Sequence, residues 1–484
     1  MRLFTRVTTA SLMALATALS ANAQEEANTE TIELSPCFIS GLQERISCAT
    51  VDVPLDYDTP QGRKISVHVA VIPATSSDPA DDPLLIFAGG PGQAAGEYGG
   101  LVNQAFYEVK KDRDIVLIDQ RGTGKSNALD CSSSGLEDVL LKPIELAARC
   151  RTEHDIDVRH FTLENIIRDT DDIRAGLGYE QVNLWGGSYG TKSVSLYLKR
   201  YPEHVRSIIV DGVLPPDTSL FASAPASAER ALNKLVEDCK AQPSCNAAFP
   251  DFKAQVLGLM EKAEKGELAF KGIDPISGEY VEFDLELAIA VESIRMVMYG
   301  ADGTTILPYV VDQAHKGNLA PLLAPLMNGQ ALPTGMYLGS TLSLLCGEDV
   351  ASINAADAAA AGKGSFARDS YYQIWKNYCE GWDYMRPTTA DFFAPAESNV
   401  PALILSGDLD PVTPPPLGEH WLKGFPNGRH IIVAGTGHNT SNVGCMPELM
   451  AEFIEGLDPA ALDTSCFDTL SRLPLIVGAN GNVE

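Results

Sequence analysis

Five residues, Gly186-Gly187-Ser188-Tyr189-Gly190, limit what this chain can fold into more than any other segment. A short apolar run, Val182-Asn183-Leu184-Trp185, precedes them, and a helical stretch from about Tyr189 to Arg200 follows. A strand that turns into a helix this abruptly brings backbone so close that side chains at the flanking positions collide, and glycine is the residue that fits. G-x-S-x-G in this context lifts the Ser188 hydroxyl clear of the chain. It also aims the next amide, that of Tyr189, at negative charge developing beside it. The chemistry indicated is nucleophilic attack by a serine on a carbonyl.

Similar apolar runs recur along the chain. Ile46–Pro54, Ile65–Pro73, Leu84–Phe87, Ile115–Ile118, Ile208–Val210, Leu403–Leu405 and Ile431–Val433 read as strands bounded by Gly, Pro or Asp. Helical periodicity lies between several of them. Leu163, Ile166, Ile167, Ile173 and Leu177 share one face, with Thr162 as N-cap and Gly178 as stop. Strands alternating with helices predict an α/β protein with a mostly parallel central sheet. After Asp211-Gly212 the alternation breaks and the text becomes mainly helical, clearest over Ala224–Cys239 and Phe252–Lys265. The 484 residues thus divide into a signal segment (1–23), a first core part (24–214), a mainly helical cap insertion (215–388) and a second core part (389–484). A late insertion in a parallel sheet is expected over the C-terminal strand ends, where such sheets place their sites.

A serine hydroxyl is a poor nucleophile without a base, and in chain order the acid and the histidine are expected after it. Leu405-Ser406-Gly407-Asp408-Leu409-Asp410-Pro411 follows one strand and offers Asp410, with Asp408 as runner-up. Gly435-Thr436-Gly437-His438 follows the last strand and offers His438 as the base. His438 would take the Ser188 proton, and Asp410 would orient and stabilise the imidazole. A second oxyanion donor is expected from Ala88-Gly89-Gly90-Pro91-Gly92; Pro91 has no N–H, so the donor is Gly89 or Gly90, with Gly90 preferred. Gly122-Thr123-Gly124-Lys125-Ser126 imitates a phosphate loop, but Asp119 stands where its first glycine is required.

The first residues look like an export signal: Arg2 and Arg6, an apolar run from about Ala10 to Leu19, then Ala21-Asn22-Ala23. Ten cysteines in an exported chain favour disulfides. Spacing suggests five local pairs, Cys37–Cys48, Cys131–Cys150, Cys239–Cys245, Cys346–Cys379 and Cys445–Cys466, though spacing alone does not fix connectivity. No C-x-x-C or H-E-x-x-H pattern occurs, so neither metal nor other cofactor is expected. A formal charge of -28 argues against nucleic acid and anionic membrane as partners and tolerates cationic substrates.

Together, Gly89-Gly90-Pro91-Gly92, Asp119-Gln120-Arg121-Gly122, Gly186-Gly187-Ser188-Tyr189-Gly190, Asp410-Pro411-Val412-Thr413-Pro414 and Gly437-His438 resemble the prolyl and tripeptidyl aminopeptidase branch of the α/β-hydrolases. The resemblance runs from about Cys37 to Cys466. It implies the α/β-hydrolase fold, a serine exopeptidase working through an acyl-enzyme, and a peptide substrate with a free N-terminus. It also implies cap carboxylates that bind the substrate ammonium, for which Glu348, Asp349 and Glu229 are the expected residues. Ala88 and Tyr189 stand where prolyl aminopeptidases commonly carry His and Trp, which turns the resemblance toward the secreted tripeptidyl type. A carboxylesterase or lipase-like hydrolase would use the same triad.

Overall fold

The computed structural model describes residues 31–131, 142–274, 278–325, 336–384 and 389–481. The expected signal segment lies outside them. In chain order the strands are β1 (Ser35–Cys37), β2 (Ile46–Pro54), β3 (Lys64–Ile72), β4 (Ala80–Phe87), β5 (Arg113–Ile118), β6 (Val182–Gly187) and β7 (Val205–Asp211). They continue with β8 (Ala269–Ile273), β9 (Tyr280–Asp284), β10 (Ala402–Gly407) and β11 (Gly428–Val433). Nine of them form one sheet in the order β1-β2-β3-β5-β4-β6-β7-β10-β11. From β5 to β11 every neighbour is parallel, and β1, β2 and β3 complete the sheet through antiparallel pairings. The expected mostly parallel α/β sheet is therefore present.

The apolar runs are continuous because both sheet faces are covered. Leu85 and Phe87 enter one core with Leu184, Ile208 and Ile404. Leu84 and Ile86 enter the other with Trp185, Ile209 and Leu403. This is the two-residue alternation of a strand, buried on both sides. The helix Leu163–Gly176 begins at Thr162, whose side chain accepts from the Asn165 amide, and the chain leaves it through Gly178 at φ +84°. β1 was not expected from sequence, since three residues carry no periodic signal; the Gly-Gly-Pro-Gly loop follows β4.

Between β7 and β10 lie the helices Leu220–Ala241, Phe252–Glu264, Leu287–Val297, Ala301–His315 and Ser370–Trp382, among shorter ones. The first four enclose an apolar core of their own around Leu232, Val256, Ile294, Leu307 and Val311, whereas Ser370–Trp382 sends Tyr372, Trp375 and Trp382 into the core under the sheet. The antiparallel pair β8–β9 also lies here, which the helical reading missed. Its alternating exposed and covered residues are too few to outweigh the surrounding helical text.

All five expected cysteine pairs form disulfides, with Cα separations between 5.1 and 6.5 Å. The Asp-Gln-Arg-Gly segment has a structural explanation. Arg121 is fully buried, grips both Asp169 oxygens at 2.6 Å, and donates to the carbonyls of Pro54, Leu55 and His160. One guanidinium thus ties three loops together, satisfying the buried charge with a bidentate partner. Among the described residues no helix is long and apolar enough to cross a membrane.

Candidate active site

Ser188 sits at the tip of the turn between β6 and the helix Gly190–Arg200, with φ +51°. For a residue with a Cβ this left-handed conformation costs about 1–2 kcal/mol. The surroundings enforce it: the Ser188 amide donates to the Asp211 carbonyl at 2.8 Å, and its carbonyl receives the Thr191 amide at 3.0 Å. A Cβ on Gly190 would run into the Phe87 carbonyl oxygen, so the helix can start only with glycine pressed against the end of β4. Ser188 itself is half-buried.

Asp410 and His438 meet as expected. His438 Nδ1 and Asp410 Oδ2 are 2.8 Å apart. The other Asp410 oxygen accepts the amides of Val412 at 2.7 Å and Thr413 at 2.9 Å. Thr413 Oγ1 donates to Asp410 Oδ2 at 2.9 Å and lies 3.2 Å from His438 Nδ1. Burial pushes the Asp410 carboxyl upward, but His438 and the two amides prevail and hold it below its ordinary value. Burial likewise pulls the His438 imidazole down. Asp410, by charge and hydrogen bond, with Asp211 behind it, outweighs burial and holds the ring above its ordinary value, against a smaller opposing push from Arg295.

The runner-up acid, Asp408, faces elsewhere. Its carboxylate accepts the Gly435 amide at 2.7 Å and pairs with Lys234 at 3.2 Å. It fastens a core loop to a cap helix.

Ser188 and His438 converge on one peptide unit. The Ser188 amide binds Asp211, and a Cβ on the next residue, Gly212, would stand 3.2 Å from His438 Cε1. No hydrogen bond joins the Ser188 hydroxyl to the His438 ring among the described residues. In a free enzyme this contact is commonly loose and tightens on the bound substrate.

Three residues beside Ser188, Asp410 and His438 were missed in the sequence. Asp211 is fully buried and accepts from the Thr440 and Ser441 amides and both their hydroxyls. It therefore holds the segment just after His438. Its signal was a carboxylate closing the apolar run Ile208-Ile209-Val210. Thr413 was quoted only as part of a motif. Tyr299 comes from the cap: its carbonyl accepts the His438 amide at 2.8 Å, and its ring meets the imidazole edge-on at 5.1 Å. Nothing in its local sequence marks it.

Both amides expected as the second oxyanion donor have internal acceptors. The Gly90 amide donates to Gln93 Oε1 at 3.0 Å, and the Gly89 amide to the Tyr98 hydroxyl at 2.8 Å. Gln93 Oε1 also accepts from that hydroxyl at 2.8 Å. Gly90 thus serves an oxyanion only if the Gln93 carbonyl oxygen yields its place.

The three carboxylates expected to bind an ammonium all have internal partners. Glu229 pairs with Lys253 at 2.8 Å and accepts the Phe366 amide at 3.0 Å. Glu348, 3% exposed, accepts the Leu163 amide at 2.9 Å and the Tyr189 hydroxyl at 3.0 Å. Asp349, wholly buried, pairs with Lys192. Burial, reinforced by Asp349, pushes the Glu348 carboxyl up to about 7. Acidic residues adjacent in sequence usually sit on a solvated face; here they lie beneath the nucleophile's helix. Among the described residues, Cys131, Cys150 and His154 form the one grouping of metal-type ligands. Cys131 and Cys150 are joined in a disulfide, which removes the thiolates a metal would need.

Comparison with known proteins is consistent with this geometry. The family model described as "alpha/beta hydrolase fold" matches residues 82–245, and the one described as "TAP-like protein" matches residues 366–466. Serine protease Hip1 of Mycobacterium tuberculosis is 28% identical over 252 residues, covering 46% of this chain and 48% of that protein. Tripeptidyl aminopeptidase of Streptomyces lividans is 31% identical over 196 residues, 36% of each chain. Carboxylesterase B of M. tuberculosis is 31% identical over 222 residues, 41% of this chain and 42% of that one. The chain spans about half or less of the length of these curated relatives.

Proposed function

We propose that this chain, which matches an α/β-hydrolase model and a TAP-like model over separate stretches, is an exported serine exopeptidase, cleaving peptide bonds near a free N-terminus through an acyl-enzyme. The observation that carries the reading is the pairing of His438 with a buried, ionised Asp410 beside the strained Ser188 turn. Serine-protease and aminopeptidase relatives support it at the level of substrate class. In this reading His438 Nε2 takes the proton as Ser188 Oγ attacks the substrate carbonyl carbon. The Tyr189 amide faces the developing oxyanion, and His438 returns the proton to the departing amine. Water, deprotonated by His438, then attacks the ester and frees Ser188. Five disulfides support an oxidising, extracytoplasmic location.

A carboxylesterase reading is favoured by one specific observation: all three expected ammonium-binding carboxylates are turned to internal partners. Turnover of free and N-acetylated peptide amides, compared with short acyl esters, separates the two. The exopeptidase reading expects turnover of free N-termini and none of their acetylated forms. Hydrolysis confined to esters would replace it with the esterase.

The pH dependence follows from the imidazole. His438 accepts the serine proton only when neutral, and its pKa is raised above the usual ~6.5. The rate per free enzyme, kcat/KM, will therefore fall as pH drops through a midpoint above about 6.5. Asp410, held low, stays ionised across that range. A profile from pH 5 to 9 checks this; an acid limb centred well below 6 contradicts it.

A further inference from the structure

An oxyanion hole built from two loops needs both held to within about 0.5 Å. Here one candidate donor, the Tyr189 amide, follows β6, and the other candidates, the Gly89 and Gly90 amides, follow β4, where Tyr98 and Gln93 must yield them to an oxyanion. The strands pair in register, Phe87 opposite Gly186, but the ladder ends there. Beyond the strand ends the loops press on each other where Gly190 meets Phe87 and Ala88, and the segment 336–349 touches both.

At its start, Met336 forms an antiparallel bridge with Gln93. The Tyr337 amide donates to the Gly92 carbonyl at 2.9 Å. Thr341 Oγ1 donates to the Pro91 carbonyl at 2.6 Å. Gly92 has φ +81°, and a Cβ there would stand 2.6 Å from the Thr341 amide nitrogen, so the loop backbone lies directly on this segment. Further along, the segment reaches the nucleophile's helix, where Glu348 receives the Tyr189 hydroxyl and Asp349 receives Lys192.

The local geometry fits this double contact. Leu345–Asp349 is a π-helical turn, and both of its acids reach the start of one helix, Glu348 at Tyr189 and Asp349 at Lys192. Cys346 ties the turn to Cys379. Two buried carboxylates facing one lysine is a costly arrangement, and an apolar contact would hold a helix more cheaply.

We propose that segment 336–349 sets the register of the two halves of the oxyanion hole, with Thr341 and Glu348 as its positioning residues; the inference rests on Ser188 being the nucleophile. Thr341 fixes the Gly-Gly-Pro-Gly loop through Pro91. Glu348 fixes the Tyr189 amide through the tyrosine side chain. Neither touches substrate.

The test compares wild type with Thr341→Val, Thr341→Ser, Glu348→Gln, Tyr189→Phe and the Glu348→Gln/Tyr189→Phe double variant. Active sites are counted by the nitrophenol burst from p-nitrophenyl acetate, so misfolded protein drops out. With the glutamine oxygen kept for the Leu163 amide, its NH₂ would face the Tyr189 hydroxyl, so the acceptor that now holds that hydroxyl is replaced by a donor and the contact must turn round. Thr341→Val and Glu348→Gln should each slow acylation per titrated site about tenfold, the scale of one strong hydrogen bond. They should weaken inhibition by an alkyl boronic acid, which takes the serine oxygen as a fourth ligand and mimics the tetrahedral state, by the same factor. KM should stay within twofold, Thr341→Ser should restore the rate, and the double variant should be no worse than either parent.

Unchanged acylation and boronate affinity, with lost thermal stability alone, would overturn the proposal. So would a Glu348→Gln variant whose KM rises only for substrates with a free amine, which would make Glu348 an ammonium site. If wild type itself gives no burst and ignores the boronate, the nucleophile reading fails and this inference falls with it. A reactive wild type with unaffected variants sinks the inference alone.

Discussion

Ser188→Ala lowers kcat by a factor on the order of 10⁶ and leaves the fold intact. The first half follows from chemistry: without Oγ the carbonyl has no nucleophile, and only the amide donors and binding remain. The second half follows from the site. The Ser188 backbone holds the turn through Asp211 and Thr191, while its hydroxyl makes no hydrogen bond among the described residues, so its loss strands no partner. Ser188→Gly sharpens the test. Glycine enters φ +51° without the steric penalty, so the dead enzyme should be more stable than wild type, by about 1 kcal/mol. Urea unfolding beside single-turnover kinetics measures both. A glycine variant less stable than wild type would mean that the turn is not strained. An alanine variant retaining more than a few per cent of activity would remove Ser188 from the mechanism.

The same strain explains how much of this protein can be read from its sequence. Gly186 to Gly190 were legible because a tight strand-to-helix turn leaves few residue choices. The sheet was legible because strands buried on both faces cannot alternate with polar residues. Asp410 and His438 were legible because each follows an apolar run in a short loop. What escaped was decided by contacts distant in sequence. Glu348 reaches Tyr189 across 159 positions, and a Glu-Asp pair looks like solvated surface until Lys192 is seen beneath it. Tyr299 supports His438 only because the cap lowers a carbonyl onto that loop. Gly90 was a reasonable donor by covalent logic, but the side chain three residues on, Gln93, already occupies its N–H. Local chemistry names the reacting groups, and the residues that hold them in place belong to the tertiary structure.

Asp410→Asn will lower kcat by about 10⁴-fold, whereas Asp408→Asn will change it by no more than a few-fold. The carboxamide introduced at position 410 could keep its oxygen for the Val412 and Thr413 amides, which now bind Oδ1. Its NH₂ would then replace the oxygen that faces His438 Nδ1 and the Thr413 hydroxyl. A donor in that place favours the imidazole tautomer with Nδ1 unprotonated and Nε2 carrying hydrogen, the form that cannot receive the serine proton. The imidazole also loses its main source of raised basicity, so the acid limb of the pH profile should move down together with the fall in rate. Asp408 differs in every respect. Its side chain is 19% exposed and pairs with Lys234, a contact worth about 0.2–1 kcal/mol. The Asp408→Asn side chain keeps an acceptor for the Gly435 amide. Both carboxylates lie in the same Gly-Asp-Leu-Asp turn, so the pair of variants shares whatever general disturbance a charge loss there brings. If Asp408→Asn proved the inactive one, the acid assignment would move two residues back and the His438 loop would have to turn with it.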